Sequence, residues 1–298
     1  LRGTHAARAR NRPPRTVLVA GRRGTAGVGW GDAVSGTAKR SLGQHFLVSE
    51  AVIDRIAETC RFLARDAEGI VEVGPGRGAL TRKLAGLDKP LAAVELDGAL
   101  AGQLRQRFPA AEIHEADARA FDWSLLPRRS GLHPWFLAGN LPYNAGTEIL
   151  WRALFRRDTF SALVVMLQLE VARKFCAGPG EEGYGPYAAW TAPWWEARLL
   201  FMVKPGCFRP QPKVTSSVCS LVRRIEILAP SALMPPFWNF VSAAFAQPRK
   251  TLLSNLVALG GGRSAWAAHM EAAGLPPAIR PGQVPPRDYV VLFLQIPR

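Results

Sequence analysis

Short apolar runs recur along the middle of the chain, and a segment of helix length separates each run from the next. These runs are rich in β-branched residues and predict strands at 69–73, 91–94, around Ile113, 135–139 and 160–167. The last run is almost entirely apolar, as expected for a strand buried on both faces of a parallel sheet. Apolar positions at helical spacing lie between the runs, for example from Val52 to Cys60. The pattern predicts an α/β fold with a doubly wound sheet.

The alternation of strands and helices stops near residue 227. Short helical patterns broken by Pro and Gly follow, at 237–245, 250–259, 265–273 and from 289 to the end. The sequence therefore predicts a small C-terminal helical domain over 227–298, after a main domain over 38–226.

Residues 1–37 differ in composition from the rest of the chain. They are rich in Arg, contain Asp32 as their one acidic residue, and have no apolar period, which predicts a disordered basic arm. Three origins stay open: an organelle transit peptide, an RNA-contacting tail, or a mis-assigned start. We favour the third because the chain begins with Leu1 rather than Met.

The net charge of the chain indicates which class of partner it binds. The formal net charge is +15 with a pI of about 10.6, which indicates a polyanionic partner, nucleic acid before anionic membrane. No apolar run reaches the ~20 residues that cross a bilayer. The four cysteines lie far apart without a Cys-x-x-Cys pair, so we expect no metal site, no disulfide framework and a reducing compartment.

Three of the predicted strands end in residues suited to an adenosine-containing cofactor. The first runs into Gly-Pro-Gly-Arg-Gly at 74–78, and a helix is expected from about Ala79. Glu95 follows the second strand, 21 positions after Gly74, near the offset of ~20 at which an acid meets ribose hydroxyls. Asp117 follows the third. The glycine spacing is not Gly-x-Gly-x-x-Gly and needs no pyrophosphate cradle, so S-adenosylmethionine fits better than a nicotinamide dinucleotide.

The tetrapeptide Asn-Leu-Pro-Tyr at 140–143 follows the fourth strand directly. Asn140 offers a carbonyl oxygen and Tyr143 a flat apolar face, a combination that suits a planar ring with an exocyclic amine. The alternative is an ordinary strand-to-loop turn. Phe208, in the proline-rich loop 204–214, could face Tyr143 and sandwich a flipped-out base; otherwise that loop is a plain connector.

Other candidates carry weaker signals. His45 lies in a Gly-Gln-His-Phe-Leu loop that either covers a ligand or leaves His45 as a helix cap or a packed surface residue, and the residues alone favour the second interpretation. The tryptophans at 190, 194 and 195 invite a base-stacking interpretation, but we favour a core or interface role. Arg249 and Lys250 form a basic cluster at a helix start, either for RNA backbone or as a solvated face.

Taken together, six motifs in this order resemble the ribosomal RNA adenine N6-dimethyltransferases. They are Gly-Gln-His-Phe-Leu at 43–47, Val-Glu-Val-Gly-Pro-Gly at 71–76, Glu-Leu-Asp at 95–97, Asp-Ala at 117–118, Gly-Asn-Leu-Pro-Tyr-Asn at 139–144, and Phe-x-Pro-x-Pro-Lys-Val at 208–214. The resemblance extends from about Lys39 to the C-terminus. It is strongest to the bacterial branch that acts on two adjacent adenines near the 3′ end of small-subunit rRNA.

The resemblance implies a Rossmann-like class I methyltransferase sheet with a small C-terminal helical domain, and S-adenosylmethionine as cofactor. It implies a cofactor site lined by His45, Leu47, Gly74, Gly76, Glu95, Asp117 and Asn140. It implies a target-adenine site made of Asn140, Leu141, Pro142, Tyr143 and Phe208. It implies RNA contacts from Lys213, Arg249 and Lys250.

Partners and location follow from the same resemblance. The expected partner is small-subunit rRNA in an immature small ribosomal subunit, bound by a monomer without membrane. The expected location is the cytoplasm, or an organelle matrix if the arm is a genuine transit peptide. The chain departs from the family at Leu169, where Lys is usual, and at Pro248, which replaces a basic residue.

Two rival functions remain at this stage. One is a large-subunit rRNA adenine methylase of the antibiotic-resistance type, against which the Phe208 loop and the long helical C-terminal domain argue. The other is a non-catalytic RNA-binding assembly factor or mitochondrial transcription factor on the same fold. The intact set of Gly74, Glu95, Asp117 and Asn140 argues against lost chemistry.

Overall fold

The computed structural model describes residues 44–127 and 134–296. The predicted basic arm at 1–37 lies outside the described residues. Within these ranges, every helix is too short or too polar to cross a membrane.

A seven-stranded sheet forms the centre of the fold, and a two-stranded ladder lies beside it. The strands are β1 (Phe46–Leu47), β2 (Ile70–Val73), β3 (Leu91–Glu95), β4 (Glu112–Glu115), β5 (Trp135–Asn140), β6 (Phe160–Gln168), β7 (Trp195–Val203), β8 (Phe208–Arg209) and β9 (Ser216–Arg223). The central order is β4-β3-β2-β5-β6-β9-β7, and β1 pairs with β8. Neighbours from β4 to β6 are parallel, whereas β9 is antiparallel to both β6 and β7. The predicted doubly wound α/β sheet is confirmed.

The helices lie between and after these strands. They are α1 (Glu50–Leu63), α2 (Thr81–Leu84), α3 (Gly98–Arg107), α4 (Gly146–Leu154), α5 (Leu169–Cys176), α6 (Pro186–Thr191), α7 (Met234–Ala244), α8 (Leu252–Val257), α9 (Arg263–Ala272) and α10 (Pro286–Leu294). The first helix after the glycine turn begins at Thr81 rather than near Ala79, because hydrogen-bonded turns occupy the residues between.

The strand order creates a crevice at the carboxyl edge of the sheet. From β2 the chain winds outward through β3 and β4 and then returns to the other side of β2 with β5. Ligands of open α/β sheets bind at such a reversal point, outside the carboxyl ends of the strands. Here the ends of β2, β3 and β5 bring the glycine turn, Glu95 and Asn140 to the same edge.

The C-terminal helices share a hydrophobic core with one face of the sheet. A continuous cluster runs from Val71 and Leu163 to Phe237 and Tyr289. The division at 226–227 falls between the end of β9 and a 3-10 helix at Ser231–Leu233 that leads into α7, and it stays a prediction.

The three tryptophans of the sequence hypothesis lie at this junction and are fully buried. The indole N–H groups of Trp190, Trp194 and Trp195 donate to the carbonyl oxygens of Met234 (2.9 Å), Ala229 (2.8 Å) and Leu154 (3.0 Å). The core interpretation is confirmed, and the base-stacking interpretation is wrong for them.

Candidate active site

A cavity of about 940 Å³ opens at the carboxyl edge, between the glycine turn, the β1 segment and the loop after β5. Ten residues singled out from the sequence line it: His45, Leu47, Gly74, Gly76, Glu95, Asp117, Asn140, Leu141, Pro142 and Tyr143. The structure therefore places the motifs that the sequence assigned to one site around the same cavity.

The glycine turn needs glycine for both conformation and space. Gly74 and Gly76 have φ angles of +66° and +56°, in the left-handed region that favours glycine. A Cβ atom on Gly76 would lie 3.0 Å from the ring of Phe46. The turn therefore brings bare backbone to the cavity wall, where a ligand can approach closely.

Glu95, at the end of β3, is hydrogen-bonded to the backbone of this turn. Its Oε2 accepts a hydrogen bond from the backbone N–H of Gly76 (2.9 Å), and its Oε1 accepts one from the backbone N–H of Asp97 (3.0 Å). Burial raises the pKa of Glu95, while these hydrogen bonds oppose the rise. The expected contact of this acid with ribose hydroxyls stays a prediction.

Asp117 lies just beyond β4 and is held by Arg119. The Arg119 Nε atom donates to both carboxylate oxygens (3.0 Å each), and Nη2 donates to Oδ2 (2.6 Å). The backbone N–H of Arg119 adds a bond to Oδ1 (2.9 Å). These bonds lower the pKa of Asp117. An amine donor entering this site would have to share or displace the guanidinium.

Asn140 presents a free acceptor to the cavity. Its Nδ2 donates to the backbone carbonyl oxygen of His45 (2.9 Å), whereas Oδ1 is buried and meets no hydrogen-bond partner among the described residues. The opposite amide orientation would set two carbonyl oxygens face to face, so the contact with His45 fixes Oδ1 in place. A buried acceptor without a donor is costly, which suits a site that a ligand N–H completes.

Tyr143 forms an aromatic wall next to Asn140. Its ring centroid lies 4.9 Å from that of His45 at an interplanar angle of 34°, and its hydroxyl is hydrogen-bonded to Ser216 Oγ. Burial raises the pKa of Tyr143, so the phenol stays neutral. His45 Nδ1 in turn lies 2.8 Å from the carbonyl oxygen of Pro210. The helix-cap interpretation of His45 is wrong, since Ser49 occupies the N-cap position of α1.

Phe208 does not line the cavity in this structure, and its expected role opposite Tyr143 stays a prediction. Phe208 is fully buried in the core cluster on the α1 face of the sheet and pairs with Leu47 in the β1–β8 ladder. Successive side chains of a strand point in opposite directions. The neighbouring residue, Arg209, is the one that lines the cavity.

The residues expected to contact RNA lie elsewhere. Lys213, Arg249 and Lys250 are exposed, and their contacts with RNA stay a prediction. Sequence reasoning missed Glu72, Arg119, Arg209 and Ser216. Glu72 had a readable signal, because a carboxylate interrupts an otherwise apolar buried strand.

The comparisons with known proteins agree with this geometry. A family model described as "Ribosomal RNA adenine dimethylase" matches residues 36–284. The chain belongs to this family. The resemblance inferred from the motifs is thereby confirmed.

Several curated relatives in the dimethylase family are named "Ribosomal RNA small subunit methyltransferase A". The protein from Geobacter sulfurreducens is 41% identical over 218 residues, which are 72% of this chain and 78% of the relative. The protein from Methylococcus capsulatus is 36% identical over 261 residues, 87% of this chain and 97% of the relative.

Solved structures support the class I methyltransferase fold expected for this dimethylase. The 23S rRNA methyltransferase ErmE is 27% identical with a TM-score of 0.66, over 84% of this chain and 98% of that one. A dimethyladenosine transferase from Plasmodium falciparum has a TM-score of 0.69 at 20% identity, over 84% and 97% of the two chains, and supports the fold alone.

Proposed function

We propose that this protein transfers methyl groups from S-adenosylmethionine to the N6 amines of two adjacent adenines near the 3′ end of small-subunit (16S) rRNA. It would act as a cytoplasmic monomer on the immature small ribosomal subunit, or in an organelle matrix if its N-terminal arm is a transit peptide. The observation that carries the proposal is Oδ1 of Asn140, which lies at the tip of β5 on the wall of the cavity and meets no hydrogen-bond donor within residues 44–127 and 134–296.

The residues of the cavity fit S-adenosylmethionine. The backbone at Gly74 and Gly76 carries no Cβ and lies against a space that a ligand can fill. Glu95 and Asp117 offer carboxylates for ribose hydroxyls and for the adenine amine of the cofactor. When bound, the cofactor supplies a methyl group on a sulfonium centre.

Asn140 and Leu141 would orient the target amine. The lone pair of an adenine N6 atom is delocalised into the ring, which makes this nitrogen a poor nucleophile. Asn140 Oδ1 and the backbone carbonyl of Leu141 would each accept one N–H, which favours a pyramidal nitrogen with its lone pair directed away from the two acceptors. Positioning of this kind supplies most of the rate, and no strong base is needed because the proton leaves after charge develops.

Tyr143 would hold the plane of the extruded adenine. Its contacts with His45 and Ser216 restrict the ring before a base arrives, so little rotamer entropy is lost on stacking. The net charge of +15 would supply the attraction to the rRNA backbone, with Lys213, Arg249 and Lys250 as the expected contacts.

The decisive experiment measures transfer of labelled methyl groups to immature small ribosomal subunits by the wild type, Asn140→Ala and the surface control Arg198→Gln. We expect Asn140→Ala to lose transfer while S-adenosylhomocysteine binding persists, and the control to behave as the wild type. Near-normal transfer by Asn140→Ala would contradict the assignment.

Mapping of the product separates the rival functions. Primer extension should locate the methylated adenines as a neighbouring pair near the 3′ end of small-subunit rRNA. Methylation confined to large-subunit rRNA would favour a resistance-type methylase. Tight RNA binding by a wild type that transfers no methyl groups would favour a non-catalytic assembly or transcription factor.

A further inference from the structure

Three arginines lie together at the edge of the sheet opposite the cavity. Arg157 precedes β6, and Arg223 ends β9 with Arg224 directly after it. Because β9 is antiparallel to β6, the end of β9 and the start of β6 meet at the same edge. β6 spans nine residues, and at about 3.3 Å per residue this arginine cluster lies roughly 25 Å from the strand tips that line the cavity.

Backbone carbonyls hold the three guanidinium groups in place. Nη1 and Nη2 of Arg157 donate to the carbonyl oxygens of Trp194 (2.5 Å) and Arg224 (3.0 Å). Arg223 Nη1 donates to the carbonyl oxygen of Arg157 (2.8 Å), and Arg224 Nε donates to that of Ala192 (2.7 Å). All three arginines are half-buried. The arginine cluster is therefore fixed before any partner arrives.

No carboxylate of the described residues forms an ion pair with the arginine cluster. Asp158 and Glu226, the nearest acids in sequence, are exposed and do not pair with it. Burial lowers the pKa of Arg157 to about 10, and the charge of Arg223 adds to the fall. Like charges held together repel one another, so a bound anion would relieve this repulsion.

The cluster keeps donors that an anion can use. A guanidinium has five N–H groups, and within the described residues Arg157 uses two of them while Arg223 and Arg224 use one each. The nitrogen atoms that make none of these bonds are reached by solvent. Planar guanidinium groups bind phosphate oxygens in pairs. The net charge of +15 favours a polyanion, and RNA is the polyanion on which this family acts.

We propose that the arginine cluster binds the phosphodiester backbone of a second rRNA segment, separate from the segment that enters the cavity. This inference rests on the proposed function and extends it, since it gives the enzyme a second contact with the same rRNA. Phosphate contacts fix the position of a protein on a nucleic acid and carry no base specificity. The cluster would therefore contribute affinity and orientation and leave the chemistry of the cavity unchanged.

The salt dependence of binding counts the phosphate contacts. The double variant Arg223→Gln, Arg224→Gln is compared with the wild type on protein-free small-subunit rRNA and on a short hairpin that carries the target adenines. On the rRNA, the slope of log affinity against log salt should fall by about 1.4 to 1.8, and on the hairpin it should not change. Single-turnover methylation of immature subunits should reach the wild-type maximal rate, with half-saturation at about tenfold higher concentration.

Two further double variants separate binding from folding and from general charge. Arg223→Lys, Arg224→Lys keeps both charges and should keep the wild-type salt slope, even where the loss of carbonyl contacts lowers the temperature of thermal unfolding. Arg61→Gln, Arg65→Gln removes the same charge from two exposed arginines at the end of α1 and directly after it. This matched control should retain the wild-type slope on rRNA.

Three results on RNA would overturn the inference: an unchanged rRNA slope for Arg223→Gln, Arg224→Gln, an equal fall for the α1 control, or an equal fall on the hairpin. Loss of binding to phosphatidylglycerol vesicles with rRNA binding intact would overturn it too, and would assign the cluster to a membrane surface. Methylation of small-subunit rRNA together with an unchanged slope would leave the proposed function standing and remove this site. A cluster-dependent slope in a wild type that transfers no methyl groups would keep the site and remove the proposed function.

Discussion

The side-chain nitrogen of Asn140 donates to the backbone carbonyl of His45 at 2.9 Å, across 95 positions of sequence. This bond joins the tip of β5 to the segment that covers the cavity. It also sets the direction of the Asn140 amide, so that its oxygen faces the ligand space. The orientation of the proposed acceptor thus depends on a main-chain atom that no side-chain substitution at position 45 removes.

Asn140→Asp and His45→Ala should therefore differ strongly. The carboxylate of Asn140→Asp would place an oxygen against the His45 carbonyl, and we expect single-turnover methyl transfer to fall by about 10²–10³-fold. His45→Ala keeps the carbonyl and loses the ring contact with Tyr143 and the contact of Nδ1 with the Pro210 carbonyl, so its loss should be smaller. Both variants are compared at saturating cofactor. Equal losses would contradict the orienting role of the backbone bond.

Arg119 should compete with the cofactor for Asp117. Its guanidinium and backbone N–H already occupy both carboxylate oxygens. Exposed ion pairs are weak, so Arg119→Ala should tighten S-adenosylhomocysteine binding by a factor of about 2 to 5, measured by calorimetry. Arg198→Ala is the matched control, since it removes an exposed arginine that pairs with Glu196. Weaker binding by Arg119→Ala would mean that the guanidinium orients Asp117 rather than blocking it.

Gly139 holds β5 close to the glycine turn. A Cβ atom there would overlap the carbonyl oxygen of Val73, and neither backbone can yield without moving its strand. Gly139→Ala should lower the free energy of unfolding by about 3 kcal/mol, measured by urea unfolding. Gly102→Ala in α3 meets open space and should raise it by up to about 1 kcal/mol. Similar changes for both would contradict the close approach.

Glu72 should make folding stability depend on pH in a defined direction. Burial in β2 raises the pKa of Glu72 from an ordinary 4.5 to about 8 in the folded state, so between these values the unfolded chain has released a proton that the folded chain keeps. The free energy of unfolding therefore falls as pH rises from 4.5 to 8, by a few kcal/mol (about 1.4 per pH unit at most).

Glu72→Gln lacks this proton and should be more stable than the wild type at pH 8.5, with a smaller difference at pH 5. Urea unfolding of both proteins at the two pH values measures the effect. Parallel pH profiles for the wild type and Glu72→Gln would contradict it.

Arg249 and Lys250 precede α8 on the exposed surface. The double substitution Arg249→Gln, Lys250→Gln should weaken binding to small-subunit rRNA. It should also reduce the slope of log affinity against log salt by about 1.4 to 1.8, and leave cofactor affinity unchanged. Arg198→Gln, whose guanidinium pairs with Glu196, is the control for loss of a surface charge. An unaltered salt slope in the double variant would exclude these residues from the RNA contact.

The parallel part of the sheet and its strand ends were predictable because their signals are local. The apolar runs, the glycine turn, and the residues Glu95, Asp117 and Asn140 all follow strands at helix-length spacing. Parallel neighbours necessarily bring such ends to one edge of the sheet.

The long-range pairings were not predictable in the same way. The residues around Phe208 carry no local signal that β8 pairs with β1. Because of this pairing, Phe208 is buried and Arg209 faces the cavity. The insertion of β9 between β6 and β7 likewise has no local signal, although it sets Ser216 beside Tyr143. The hydrogen bonds between the Arg119 guanidinium and the Asp117 carboxylate depend on side-chain rotamers, which the hydrophobic periodicity of the sequence does not predict.

The buried indole of Trp190 donates to the carbonyl of Met234 at the start of α7, and that of Trp194 donates to the carbonyl of Ala229, in the segment that leads to the C-terminal helices. The C-terminal helices are thereby packed against the sheet through buried contacts and are not joined to it by a flexible linker alone. A chimera that takes these helices from another member of the family would also have to take the residues that correspond to Trp190 and Trp194.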